Sequence, residues 1–165
     1  MKKQFLIYMA IGVVLVAAAV AFIFHLQRGA HIELRGNVLK VRVFPIDDKS
    51  TIAVIDFRFV NPADYRFVVR SVDVSMEDYD GRVIEGSVVS EVDAARLFEY
   101  YPILGQKYND SLLIRTKVPP KQSMDRMIAV RFDVSEKEMT ARKLLKIRIE
   151  DVDGAVSDVV ERETR

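Results

Sequence analysis

An uncharged segment near the N-terminus constrains this chain more than any other feature. Residues 5–26 contain no Asp, Glu, Lys or Arg. As an α-helix with a rise of about 1.5 Å per residue, the segment would cover roughly 33 Å, and the hydrocarbon core of a bilayer is about 30 Å thick. The sequence therefore predicts a single transmembrane helix over residues 5–26, through which the chain contacts the bilayer.

The residues in and around this segment indicate whether it is cleaved and how it is oriented in the membrane. Lys2 and Lys3 precede it, and the small residues of the triplet Ala19–Ala21 lie within it. Both features also fit a signal peptide that is cleaved, but the apolar run continues through Phe22–Phe24, which favours a retained signal-anchor. Basic residues before a first helix favour a cytoplasmic N-terminus. We therefore expect residues 1–4 in the cytoplasm and the following domain in the periplasm or outside the cell.

The composition excludes several classes of function. The 165 residues include no Cys and two His, and the formal net charge is +1. Without Cys there is no disulfide, thiol nucleophile or thiolate-bound metal, and a nearly neutral chain lacks the basic footprint of a nucleic-acid-binding protein. Both histidines, His25 and His31, lie beside the predicted membrane segment, which leaves no material for a catalytic triad or a His-rich metal site. We expect no enzyme activity and no cofactor.

Beyond residue 35, apolar and polar residues alternate with a period of two, which is typical of half-buried β-strands. Ile55, Phe57 and Phe59 share one face of a segment whose other face carries Asp56 and Arg58. Similar alternation recurs in residues 41–43, 68–76, 128–134 and 145–149. Seven or so strands of this kind predict a mainly β fold, an antiparallel β-sandwich of the immunoglobulin-like type.

Turn signals divide the chain into parts. The dipeptides Asp80-Gly81 and Asp153-Gly154 lie between segments with strand patterns, which is the sequence signature of a β-hairpin. We expect a linker over residues 27–35, one β-sandwich domain over residues 36–160 and a C-terminal tail over residues 161–165.

Two segments depart from the alternating pattern and predict short helices. Ser90 opens the first, and Pro102 stops it. Ser135 and Glu138 have the spacing of a capping box, which starts a second helix that ends near Lys143.

The order of the segments carries a resemblance to a known family. A strand ending in Asn61-Pro62 is followed by a strand and hairpin, a Pro-containing connector, and a final strand pair preceded by a short helical stretch. These pieces are residues 57–62, 68–76, 81–86, 118–123 and 144–154. They resemble the group-2 late embryogenesis abundant family, also called the water-stress and hypersensitive-response domain. The resemblance implies a sandwich with a binding or protective role and no catalysis, often held outside by one N-terminal membrane helix.

The segment Ser90–Asp110 departs from that family, which usually connects these strands briefly. Within it, residues 97–105 combine three aromatic and three aliphatic side chains outside the strand pattern. We interpret part of it as a candidate interaction surface for a protein partner or the bilayer interface, because Tyr and Phe suit half-wet, half-apolar sites. The alternative is a lid over one end of the sandwich core. The candidate residues are Phe98, Tyr100, Tyr101, Ile103 and Leu104.

Two acidic pairs are candidate calcium ligands, because calcium favours clustered oxygen atoms. Asp78 and Asp80 lie in one predicted hairpin turn, and Asp151 and Asp153 lie in the other. Neither pair has the spacing of a complete calcium-binding loop, and turn chemistry alone accounts for both. We expect no metal.

The sequence thus predicts a single-pass, membrane-anchored β-sandwich that acts as a non-enzymatic binding or assembly module for a membrane-associated protein and does not bind nucleic acid. A stress-protective role is implied by the resemblance. The alternative hypothesis is a sandwich that holds an apolar or lipid-like ligand between its sheets.

Overall fold

The structure is a computed structural model that describes residues 2–27 and 33–161. In the N-terminal helix, it describes the side chains of residues 8, 9 and 11–22. Met1 of the predicted cytoplasmic tail, residues 28–32 of the predicted linker and residues 162–165 of the predicted C-terminal tail lie outside the described residues. The chain divides into two compact units, with the boundary after residue 31.

The first unit contains helix α1, Lys2–Gln27. Within the part of the chain that the structure describes, no helix is both long enough and apolar enough to cross a membrane. The transmembrane assignment of residues 5–26 stays a prediction.

The second unit is mainly β, as the alternating pattern predicts, and carries two short helices and one 3₁₀ turn. Its strands are β1 (Arg35–Asp47), β2 (Ser50–Val60), β3 (Phe67–Glu77), β4 (Val83–Val88), β5 (Lys117–Val118), β6 (Ser123–Phe132), β7 (Leu144–Asp151) and β8 (Val156–Val160). The helices are α2 (Glu91–Tyr100) and α3 (Glu136–Thr140), and the 3₁₀ turn is Pro102–Leu104. Leu34, in the predicted linker, is already buried.

Both predicted helix starts are confirmed. The Ser90 hydroxyl accepts a hydrogen bond from the backbone N–H of Asp93 at the start of α2. At α3, Ser135 and Glu138 form the complete capping box, which satisfies two backbone N–H groups that the helix itself leaves unpaired. Helix α3 ends at Thr140, slightly earlier than the expected end near Lys143.

The strands form one continuous curled sheet that folds into two layers. The order is β1-β2-β6-β4-β3-β7-β8, with β5 added to the start of β3, and the named strands all pair antiparallel. Strand β4 belongs to both layers: residues 83–86 pair with β3, and residues 87–88 pair with β6. The architecture is therefore a β-sandwich in which one strand carries the hydrogen-bonded path across the corner.

A close approach of backbone to side chains marks this corner. A Cβ atom at Gly86 would clash with Val130 Cγ1 and would lie 2.7 Å from Phe132 Cε1. Because only glycine lacks that atom, Gly86 lets β4 pass directly over β6 as it changes layers.

The main core lies between the two layers and contains four aromatic rings among aliphatic side chains. Phe57, Phe59, Phe67 and Phe132 are fully buried in it. In β3 the inward positions are Phe67 and Val69 before a bulge at Arg70, and Val74 and Met76 after it. The bulge shifts the alternation by one residue, so the predicted run over residues 68–76 does not keep a single period of two.

We expect Gly86→Ala to lower the free energy of unfolding by about 1–3 kcal/mol, because the added methyl group overpacks the corner. Denaturant unfolding of the full-length chain would measure this loss. In a Val130→Ala background, which removes the clashing methyl group, the same substitution should cost less. Equal losses in both backgrounds would contradict the close approach at Gly86.

Candidate interaction surface

The segment between β4 and β5 covers the outer face of the β1-β2-β6 layer. A second apolar cluster lies there, separate from the main core, and contains Ile52, Val54, Ala94, Leu104, Met127 and Ala129. Ala94 belongs to α2 and Leu104 to the 3₁₀ turn, so this segment buries strand residues that would otherwise face solvent. Strand β2 is consequently buried on both faces. The alternative prediction, a lid over one end of the sandwich core, is therefore wrong, because the segment covers the outer face of one layer.

An ion pair between β1 and β2 lies beneath this segment. Arg42 Nη2 donates to Asp56 Oδ2 at 2.7 Å. The two side chains are 10% and 5% exposed, whereas the Arg58–Asp125 pair on the same layer is 55% and 35% exposed. The Arg42–Asp56 pair is therefore shielded from water, and its attraction is stronger than that of a surface pair.

The pair also holds the segment that covers it. Arg42 Nη1 donates to the backbone carbonyls of Leu104 at 2.6 Å and Gln106 at 2.8 Å. Asp56 Oδ1 accepts a hydrogen bond from Asn109 Nδ2 at 2.9 Å. The charges on two neighbouring strands thus clamp three positions that follow α2.

Two aromatic rings flank the Arg42 guanidinium. Its centre lies 5.2 Å from the ring centroid of Phe98 and 5.4 Å from that of Tyr108, distances at which a cation and a ring attract. Arg42 Nε is buried and has no hydrogen-bond partner among the described residues. The guanidinium is therefore fixed by its two other nitrogens and by the rings.

The structure separates the five predicted surface residues into three groups. Leu104 is 2% exposed, and Phe98 packs partly buried against the second cluster. Tyr101 packs on Phe44 of β1, with ring centroids 4.3 Å apart. Tyr100 and Ile103 are 71% and 82% exposed. The accessible apolar part of the predicted surface is thus Tyr100 and Ile103, with Tyr101 at its margin.

Tyr108 is an exposed aromatic residue on the same segment that the sequence reasoning missed. It lies outside the dense run of residues 97–105, and its ring neighbours, Arg42 and Lys40, are distant in the sequence. The alternation in β1 places Lys40 and Arg42 on the same face of the strand. That pattern does not indicate which aromatic residue they contact.

The family-motif turn has a structural role in this chain. Asn61 is fully buried, and its side-chain amide donates to the backbone carbonyls of Tyr65 and Val118. Its Oδ1 accepts from the backbone N–H of Ala63. Asn61 therefore shapes the turn that begins at Pro62 and ties it to β5.

The acidic residues of the two candidate calcium pairs form hydrogen bonds within their own turns. Asp78 accepts hydrogen bonds from the backbone N–H groups of Arg82 and Asp80. These bonds lower the pKa of Asp78, and the bond from Arg82 has the largest effect. Asp151 is buried and accepts from two backbone N–H groups. Among the described residues, no group of three or more His, Cys, Asp or Glu could hold a metal ion.

The shifted carboxyl groups lie in exposed contacts. A side-chain hydrogen bond from Arg58 lowers the pKa of Asp125, and one from the Ser135 hydroxyl lowers the pKa of Glu138. Both shifts stabilise the charged form. A carboxylic acid that donates a proton in catalysis needs the opposite shift.

The direction of the Glu138 shift predicts a pH dependence of stability. Its folded-state pKa lies below the ordinary value of 4.5, so its contribution is complete above about pH 4.5 and is lost as the pH falls through the folded-state value. Gln keeps the capping box without the charge. We expect the free energy of unfolding of Glu138→Gln to fall less steeply on acidification than that of the unsubstituted chain, and identical slopes would contradict this account.

Breaking the clamp should destabilise the chain strongly. Arg42→Met leaves the Asp56 charge buried without its partner, which costs about 3–5 kcal/mol in comparable cases. Arg58→Met removes an exposed, solvent-screened pair and should cost much less. Denaturant unfolding of both full-length variants would compare them. Equal losses would show that burial of the Arg42–Asp56 pair has no energetic consequence.

Comparisons with known proteins find solved structures of low sequence identity. No protein-family model and no curated protein match the chain. An uncharacterised β-sandwich protein from Clostridium difficile has 9% identity and a TM-score of 0.41, over 80% of this chain and 86% of that one. An ApaG protein from Pseudomonas aeruginosa has 12% identity and a TM-score of 0.36, over 70% and 92%. The archaellum periplasmic stator protein FlaG from Sulfolobus acidocaldarius has 8% identity and a TM-score of 0.34, over 77% and 98%.

Proposed function

We propose that this chain is a membrane-anchored, non-enzymatic binding or assembly module whose sandwich domain docks a membrane-associated protein. The anchor is residues 5–26, and the support for it is the sequence, in which those residues carry no charge. The N-terminus is cytoplasmic, and the domain lies in the periplasm or outside the cell. Confinement to a bilayer raises the effective concentration of the domain for other membrane-bound proteins, so modest contacts suffice for binding.

The observation that carries the proposal is the rigid display of Tyr100 and Ile103. Both side chains are exposed, yet the backbone that follows them is held by Arg42 at Leu104 and Gln106. A surface that is ordered before binding loses little entropy on association. Tyr is also among the residues that contribute most to binding at protein interfaces.

The surroundings of these side chains fit the rim of an interface. Glu91, Asp93, Arg96, Glu99 and Lys107 are charged residues of the same segment. Arg96 contacts Asp93, and Lys107 contacts Glu91. Interfaces commonly combine a few apolar anchors with a polar, solvent-accessible rim.

Membership in the group-2 late embryogenesis abundant family, with its immunoglobulin-like topology, is part of the proposal. It rests on the order of the segments and on the Asn61-Pro62 turn. A protective role under stress would follow from that membership.

The alternative is a domain that binds an apolar or lipid-like ligand between its layers. Such a site needs a cavity of several hundred cubic ångströms. The fully buried rings of Phe57, Phe59 and Phe132 occupy the space between the layers, which supports the docking function over this alternative. A cleft of about 220 Å³ lies beside Glu85 and Lys146 on a polar surface.

The test is capture of partners by a variant that loses the exposed side chains and keeps the fold. Tyr100→Ser with Ile103→Ser removes the display, whereas Tyr101 is kept because it packs on Phe44. Crosslinking in native membranes followed by mass spectrometry would identify what each variant binds. We expect the double variant to keep its melting temperature and to lose its crosslinked partners.

The matched control is Tyr79→Ser with Val83→Ser, which removes an exposed Tyr and an exposed aliphatic residue elsewhere on the domain. Tyr79 and Val83 are 71% and 63% exposed, close to the values of the tested pair. The control should keep its partners. Unchanged crosslinks in the Tyr100/Ile103 variant, with an unchanged melting temperature, would overturn the proposed docking surface.

A further inference from the structure

One end of the sandwich, here called the basal end, gathers four parts of the chain. The domain begins there, because Arg35 pairs with Val60 at the end of β2. The β2–β3 turn, the loop over residues 111–122 and the β7–β8 hairpin lie at the same end, since β3 starts beside Lys117 and pairs Val69 with Asp151. Leu34 donates its backbone N–H to Ser157 Oγ of β8 at 2.7 Å, which fixes the start of the domain to this end.

Cations without an acidic partner accumulate at the basal end. Arg35, Arg66, Arg115 and Lys117 are exposed and form no ion pair among the described residues. The buried carboxylate of Asp151 is already satisfied by two backbone N–H groups. With Glu33, Asp64, Asp151 and Asp153 included, residues 33–35, 61–66, 111–122 and 151–155 contain five basic and four acidic residues, a net charge of +1.

The opposite end has the other sign. It comprises the β1–β2 turn at residues 47–50, the β3–β4 turn at residues 78–82, and residues 133–140 around α3. These segments contain seven acidic residues and three basic ones. The domain is thus electrostatically polarised along its strands, which would orient it toward an anionic surface.

An apolar pair projects among the basal cations. Leu113 and Ile114 are exposed in a turn closed by reciprocal bonds, from Thr116 N–H to the Leu113 carbonyl and from Leu113 N–H to Thr116 Oγ1. Arg115 has φ of 68°, and its N–H donates to the Val69 carbonyl at 2.7 Å. The pair is therefore displayed by a fixed turn. Apolar side chains flanked by Lys and Arg are the combination that enters the interface of an anionic bilayer.

We propose that the basal end binds the surface of a bilayer rich in anionic phospholipid. Leu113 and Ile114 enter the interface, and Arg66, Arg115 and Lys117 lie over the headgroups. The inference rests on the proposed anchoring, and it adds the orientation of the domain: the basal end faces the lipid, and the acidic end faces away.

The experiment uses the full-length chain reconstituted into vesicles of phosphatidylcholine, with or without phosphatidylglycerol. Because the chain contains no Cys, Ile114→Cys and Tyr79→Cys each introduce a single labelling site, one at each end of the domain. Each is labelled with a fluorophore, and quenching by lipids that carry a spin label on the headgroup is measured. Flotation of the vesicles in a density gradient reports anchoring independently.

We expect stronger quenching at Ile114 than at Tyr79 in vesicles with phosphatidylglycerol. The difference should shrink in phosphatidylcholine alone and in about 1 M salt, where the screening length falls to about 3 Å. The difference in quenching should also disappear in the triple variant Arg66→Gln, Arg115→Gln and Lys117→Gln, because each cation near an anionic surface changes binding by about fivefold. The matched triple variant Lys49→Gln, Arg131→Gln and Lys137→Gln removes the same number of charges at the opposite end of the domain. It should keep the difference in quenching.

The outcomes separate the inference from the proposed function. A chain that floats with the vesicles but is quenched equally at both sites is anchored without basal binding, which overturns the inference alone. A chain that stays in the aqueous fraction overturns the anchoring and, with it, this orientation. Quenching that persists in the basal triple variant shows that the cations do not bind the surface.

Discussion

The passage of β4 from one layer to the other determines where the rest of the domain can lie. Gly86 permits this passage because any side chain there would meet Val130 and Phe132. As a result β4 ends beside β6, with Val89 N–H bonded to the Ala129 carbonyl. The segment that follows therefore starts on the outer face of the β1-β2-β6 layer. Its position over that face is a consequence of backbone packing at one glycine.

Apolar contact alone would leave that segment weakly specified, because the cluster beneath it is small. The buried Arg42–Asp56 pair adds directional hydrogen bonds. The planar Arg42 guanidinium donates to one carboxylate and two carbonyls, which fixes where those carbonyls lie. Buried ion pairs contribute little net stability relative to well-packed apolar residues, but they penalise strongly any arrangement that leaves one charge unpaired. This penalty favours the arrangement in which Arg42 contacts both Asp56 and the backbone of the segment.

Most of the fold could be predicted from the sequence, and the candidate site only in part. Period-two alternation, the hairpin dipeptides and the Ser135 capping box are local signals, and they gave the strand class, two turns and the start of α3. The burial of Leu104 and the partners of Arg42 depend on which face of which strand the segment meets. That information is not local: Arg42 and Leu104 lie 62 positions apart. The charge separation between the two ends was hidden for the same reason, since it depends on which turns the strands bring together.

The bond from Leu34 to Ser157 and the position of Arg42 on β1 have a mechanical consequence. In the proposed function, a pull between the anchor and a docked partner would load the domain at Leu34 and at the segment that Arg42 holds. Both points belong to β1 or adjoin it, so the force would run along one strand and bypass the core. Ladder hydrogen bonds of antiparallel strands lie perpendicular to that direction. They would resist as a group in shear, and the docking surface could carry tension while the sandwich stayed folded.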